Sequence, residues 1–113
     1  MDQEFGISEE RRDGSSVVSP WGEVDVATAP ALRDRLEQVI ESDQGPVVVD
    51  LTAVTFIDST GLGVLIGARK QCDDNGRALR VVMSEPRILK VFEITGLTEF
   101  FDVQPSLGPA LRG

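Results

Sequence analysis

Apolar positions in this chain change rhythm along its length, and each change marks an element. Phe5–Arg12 is weakly patterned and predicts an edge strand. Asp13-Gly14 is a tight-turn dipeptide, and residues 15–21 read as the partner strand, which Pro20 ends or confines to an edge. Gly22-Glu23-Val24-Asp25 leads to a helix over Ala29–Ser42, where Leu32, Leu36, Val39 and Ile40 share one face. Thr28 is its predicted cap and Pro30 suits its first turn, while Gly45-Pro46 closes the element. Residues 47–51 are apolar at nearly every position, the mark of a central strand buried on both faces. A short loop and Phe56-Ile57 precede a second helix over residues 59–75, closed by Asn75-Gly76. Residues 78–83 form the next strand. The third helix takes Ser84 as cap, Pro86 in its first turn and an apolar side of Ile88, Leu89, Val91 and Phe92. Gly96 suits the left-handed position after it, with Leu97 folding back near Phe92. Residues 100–103 predict a last short turn and strand, and residues 104–113 a frayed tail.

This alternation predicts an α/β fold, a mixed central sheet of four or five strands with helices largely on one face. At 113 residues the chain is expected to be one domain, residues 1–113, with a core over about 5–103.

Composition narrows the function. The formal net charge of -8 argues against nucleic acid as a partner, since a phosphate backbone calls for a basic surface. It favours a protein partner with a basic patch. There is no histidine, and the single cysteine, Cys72, falls in a helical apolar pattern as a small core residue. No metal site and no cofactor is expected from that inventory. The first residues lack the basic and apolar regions of a signal peptide, and no apolar run reaches the roughly 20 residues of a membrane span. A cytoplasmic protein without a membrane partner is the expectation.

The candidate chemistry lies in Phe56-Ile57-Asp58-Ser59-Thr60-Gly61-Leu62-Gly63, where a serine stands between a strand and a helix. A helix start carries unpaired N–H groups and a partial positive charge. A serine there can cap the helix, or it can accept a phosphate that those amides tolerate. Acyl-transfer catalysis is disfavoured: no histidine can serve as base, and the surroundings fail the G-x-S-x-G pattern. No catalytic residue is assigned. The glycines at 61, 63 and 67 fit neither phosphate-loop spacing. They are nonetheless costly inside a helix, roughly 1 kcal/mol each relative to alanine. Gly61, Leu65, Ala68 and Cys72 share one helical face, and Gly63, Gly67 and Lys70 another. Two glycines on a wet face leave a smooth surface beside Ser59 that a partner can approach closely, or they merely relieve crowding.

With Gly22-Glu23-Val24-Asp25, residues 47–51 and Phe92-Glu93-Ile94-Thr95-Gly96-Leu97, the Ser59 segment resembles the STAS-domain anti-sigma-factor antagonists of bacteria, over about residues 15–103. The resemblance implies binding to an anti-sigma factor that is also an ATP-dependent serine kinase, which frees a sigma factor. It implies phosphorylation at Ser59, release of the kinase and reversal by a phosphoserine phosphatase. Asp25 is then a partner contact and Asp58 shapes the helix start. Thr60, Gly61, Gly63 and Gly67 complete the partner-binding set, with Ser59 favoured over Thr60 as acceptor. The alternative within the family is a docking module that is never phosphorylated, such as a subunit of a lipid-transport ATPase.

Overall fold

Two apolar strands, one from the first hairpin and one from the central run, carry the sheet. The computed structural model describes residues 4–112. β1 (Phe5–Arg12) and β2 (Ser15–Val24) form an antiparallel hairpin. Its turn residues Asp13 and Gly14 have φ of 52° and 81°, the left-handed backbone a two-residue hairpin turn needs. α1 (Ala29–Ser42) carries the chain to β3 (Val47–Asp50), parallel to β2. β4 (Val54–Ile57), α2 (Ser59–Asp74), β5 (Leu79–Val82), α3 (Pro86–Ile94), α4 (Leu97–Phe100), β6 (Val103–Gln104) and α5 (Leu107–Arg112) follow. The sheet order is β1-β2-β3-β5-β6, with β4 paired to β2.

From β2 onward each parallel crossover steps the same way across the sheet. Right-handed connections therefore stack α1, α2 and α3 on one face. Leu32, Leu36, Leu65, Ile88 and Phe92 meet Val18, Val49 and Val81 there in one buried cluster. Ala110 of α5 covers Val17, Val48 and Val82 on the opposite face. The result is a mixed α/β sheet with helices mainly on one side, as the alternation of elements predicts.

The sheet has one strand more than the four or five expected, because Val54–Ile57 pairs with the end of β2. β3 and β4 lie along the same edge of β2, separated by a turn in which the Val54 N–H donates to Leu51 O at 3.0 Å. That gap explains Pro20. The neighbouring inward amides of β2, Ser16 and Gly22, donate to Pro46 O and Ala53 O. The N–H that proline lacks would point at the break between β3 and β4, so β2 neither ends at Pro20 nor lies at the sheet edge.

Three further expectations are corrected. Residues 104–113 are not a frayed tail as far as they are described: Gln104 joins β6 and Ala110 of α5 is fully buried. Glu85, not Ser84, caps α3, accepting from Arg87 N at 2.6 Å. Thr28 sits at the cap position of α1, but its hydroxyl turns back and donates to Glu23 O at 2.7 Å.

The end of the sheet away from Ser59 is held by buried Arg77. Its guanidinium donates to Gly45 O, Val39 O, Ile40 O and Ser16 Oγ, at 2.6, 2.8, 3.1 and 3.0 Å. One side chain thereby satisfies the last carbonyls of α1 and joins that helix to β2.

Candidate functional site

The site is assembled where β2 and β4 end side by side. Asp58 N donates to Val24 O at 3.3 Å, so the loop after β2 lies against the start of α2. Gly61 makes that approach possible. A Cβ there would stand 2.7 Å from both Val24 Cγ1 and Ile57 Cγ1. Alanine would force the helix off the sheet.

Asp58 takes the cap. Its backbone is extended, at φ -113° and ψ -172°, and its Oδ1 accepts from Thr60 N at 2.9 Å and Gly61 N at 3.1 Å. Leu62 N closes the first helical bond onto Asp58 O at 3.0 Å. Ser59 is thus the first residue inside the helix, exposed and outside the cap. This separates the two uses a serine could have at such a junction: capping falls to its neighbour, and the hydroxyl faces solvent. It also bears on how helix-start amides could meet a phosphate on Ser59. The amides of Thr60 and Gly61 are already engaged by the Asp58 carboxylate.

Asp25 closes the turn from β2 into α1. Its Oδ1 accepts from Ala27 N at 3.0 Å and Thr28 N at 3.2 Å. Thr28 Oγ1 accepts from Asp25 N at 2.9 Å. These bonds hold Val26 at the tip of the loop, 73% exposed. The family resemblance draws attention to the aspartate, but Val26 carries no sequence signal, since a lone valine in a loop is ordinary.

Thr60, Gly63 and Gly67 are exposed along α2, and Gly61 is buried beneath them. A Cβ on Gly63 or Gly67 would meet nothing within 4 Å. The two glycines border a shallow groove of about 110 Å³ between α1 and α2, together with Arg33, Leu36, Glu37 and Gln71. The structure brings Asp58, Ser59, Thr60 and Gly61 together with the Asp25 turn, and places Gly63 and Gly67 one and two turns further down. Among the described residues no group of three or more His, Cys, Asp or Glu is placed to hold a metal ion. No described helix is long and apolar enough to cross a membrane.

A family model for the STAS domain matches residues 7–110. The anti-sigma-B factor antagonist of Bacillus subtilis is 37% identical over 99 residues, 88% of this chain and 90% of that protein. The protein of the same name from Listeria monocytogenes is 39% identical over 84 residues, 74% of this chain and 73% of the other. The crystal structure of an anti-sigma factor antagonist from Mycobacterium paratuberculosis superposes with a TM-score of 0.87 at 34% identity, covering 96% of this chain and 92% of that one.

Proposed function

The chain belongs to the STAS domain family, and from that premise we propose that it is an anti-sigma factor antagonist switched at Ser59. Unphosphorylated, it binds an anti-sigma factor that is also a serine kinase, and a sigma factor is freed. The kinase transfers the γ-phosphoryl group of ATP to Ser59 Oγ. The new O–P bond replaces the bond to ADP, and a base on the kinase takes the hydroxyl proton. A phosphoserine phosphatase restores the hydroxyl. In this scheme the protein is a regulated binding module, not an enzyme.

The observation that carries the reading is the division of labour at the start of α2: Asp58 caps, and Ser59 is left exposed at the first helical position. A phosphate there adds about -1.5 to -2 charges at pH 7 beside the Asp58 carboxylate. With the amides of Thr60 and Gly61 engaged, the added charge stays on the outer surface, where a partner seated on Ser59 would have to bury it poorly paired. A hundredfold loss of affinity requires only about 2.7 kcal/mol. That is within what a poorly paired dianion costs in an interface. Asp25 and Thr60 are assigned to partner contact, and Gly63 and Gly67 to close approach of the partner's backbone.

The test is incubation with the cognate kinase and ATP, followed by mass spectrometry of the intact protein and its peptides. The wild-type chain is expected to gain one phosphate and Ser59→Ala none. Phosphate on Thr60 in the wild-type chain would remove Ser59 from its role.

A further inference from the structure

Two neighbouring helices begin at the Ser59 end of the sheet, and neither starts with a charge on its exposed side. In α1 and the turn before it, the exposed residues Val26, Ala27, Pro30 and Ala31 are uncharged, and the first charged side chain of the helix is Arg33. In α2 none of the exposed residues from Ser59 to Gly67 is charged, and charge returns only at Arg69 and Lys70. The chain as a whole is 27% charged. Further along α1 the exposed side carries Arg33, Asp34, Glu37 and Glu41, the ordinary look of a solvated face. Depletion of charge is instead the mark of the core of a protein–protein interface.

Two larger side chains stand out on this uncharged ground. Val26 is 73% exposed at the tip of the Asp25 turn, and Ile66 is 42% exposed on α2. Ile66 follows Ser59 by seven residues, two helical turns, so the two share a stripe and stand about 10 Å apart. The turn that carries Val26 leaves the sheet beside the start of α2, because Val24 O accepts from Asp58 N. The Ser59 hydroxyl thus has one aliphatic side chain further along its own helix and another on the neighbouring turn.

What covers them follows from the chemistry proposed for Ser59. A kinase that delivers a phosphoryl group to Ser59 Oγ brings its own surface onto this end of the domain. A specific interface takes roughly 800 Å² from each partner, a disc of about 16 Å radius. Centred on Ser59, such a disc takes in both Ile66 and Val26. We infer that Val26 and Ile66 are the apolar anchors of this contact, and that the anti-sigma partner meets them with an aliphatic or aromatic patch beside its catalytic site. The inference rests on the proposed function for the identity of the partner and adds what holds it there. It also gives the switch its leverage. A phosphate on Ser59 carries its charge into a contact from which the anchors exclude water and to which this stretch of the chain offers no cation.

The experiment measures binding of the full chain to the purified cognate anti-sigma factor by calorimetry at several temperatures. The parent is compared with Val26→Ser, Ile66→Gln, Ile66→Leu and Ser59→Asp, each first shown by thermal melting to be folded. The parent is expected to bind with a negative change in heat capacity, the sign of apolar burial. Val26→Ser and Ile66→Gln are each expected to weaken affinity about tenfold and to shrink that change. Ile66→Leu, which keeps the apolar surface, is expected to stay within about threefold of the parent. Val26→Ser and Ile66→Gln chains that bind within twofold of the parent, while Ser59→Asp still loses binding, overturn the anchors and leave the Ser59 reading standing. A Ser59→Asp chain that binds like the parent, while the two anchor variants are weakened, supports the anchors and overturns the switch. No binding by the folded parent overturns both.

Discussion

Cys72 shows how one buried group sets a pH limit on the fold. Its thiol is fully enclosed between α2 and the sheet. Burial pushes its pKa from an ordinary value near 9 up to about 11; Arg77 opposes the rise, Asp73 adds to it and Arg69 opposes it. The folded chain thus keeps this proton over a range in which the unfolded chain has lost it. Stability is unaffected below pH 9 and falls as pH rises from about 9 to about 11. Two units correspond to about 2–3 kcal/mol. Cys72→Ala should lower the neutral stability through the small cavity it leaves. It should also flatten the alkaline limb. Urea midpoints of both proteins at pH 8 and pH 10.5 decide this, and parallel losses would assign the alkaline sensitivity elsewhere. The same burial keeps the thiol inert to alkylation until the domain opens.

At the scale of the element, α2 holds glycines of opposite kinds. Gly61 is required by packing, because a Cβ would meet Val24 and Ile57 at 2.7 Å. Gly63 and Gly67 have open space around them and weaken the helix for no internal gain. Gly63→Ala and Gly67→Ala should each stabilise the isolated protein by roughly 0.5–1 kcal/mol. Both should weaken partner binding tenfold or more if the smooth face is reserved for close approach. Gly61→Ala should destabilise by about 1–3 kcal/mol. Thermal melts and calorimetry on the three variants separate the cases, and alanines at 63 and 67 that leave affinity intact would return those glycines to mere local geometry. The elements with strong periodicity were legible beforehand. α1 follows from Leu32, Leu36, Val39 and Ile40, and β3 from its unbroken valines. β4 was not, because its buried residues are only Val54 and Ile57, a spacing of three that does not read as alternation. The cap of α2 was ambiguous for a different reason. Asp58 and Ser59 are both good caps, and the extended backbone at Asp58, invisible in sequence, decides between them.

For the whole molecule, the last legible step failed at α5, where Gly108 and Pro109 discourage a helix and the only fully buried residue is Ala110. Its stability is borrowed from a distant surface. Val17, Val48 and Val82 come from three strands, and no local pattern near residue 107 announces that they need a cover. Arg80 adds a tie, donating from Nη1 to Ala110 O at 2.9 Å. The domain therefore has one end where β2 and β4 deliver the Asp25 turn and Ser59, the proposed working end, and a back face on which α5 covers Val17, Val48 and Val82. Those two parts should separate experimentally. Ending the chain after residue 106 uncovers three valines that are at most 1% exposed. By the area they would present to water, the loss of stability should be roughly 2–3 kcal/mol. Ser59 lies outside the surface that α5 covers, so its phosphorylation by the cognate kinase, measured below the melting transition, should stay within twofold of the full chain. A urea midpoint unchanged by the truncation would show that α5 covers nothing of consequence. A phosphorylation rate that collapses while the shortened chain remains folded would tie α5 to the partner surface and redraw where the anti-sigma factor sits.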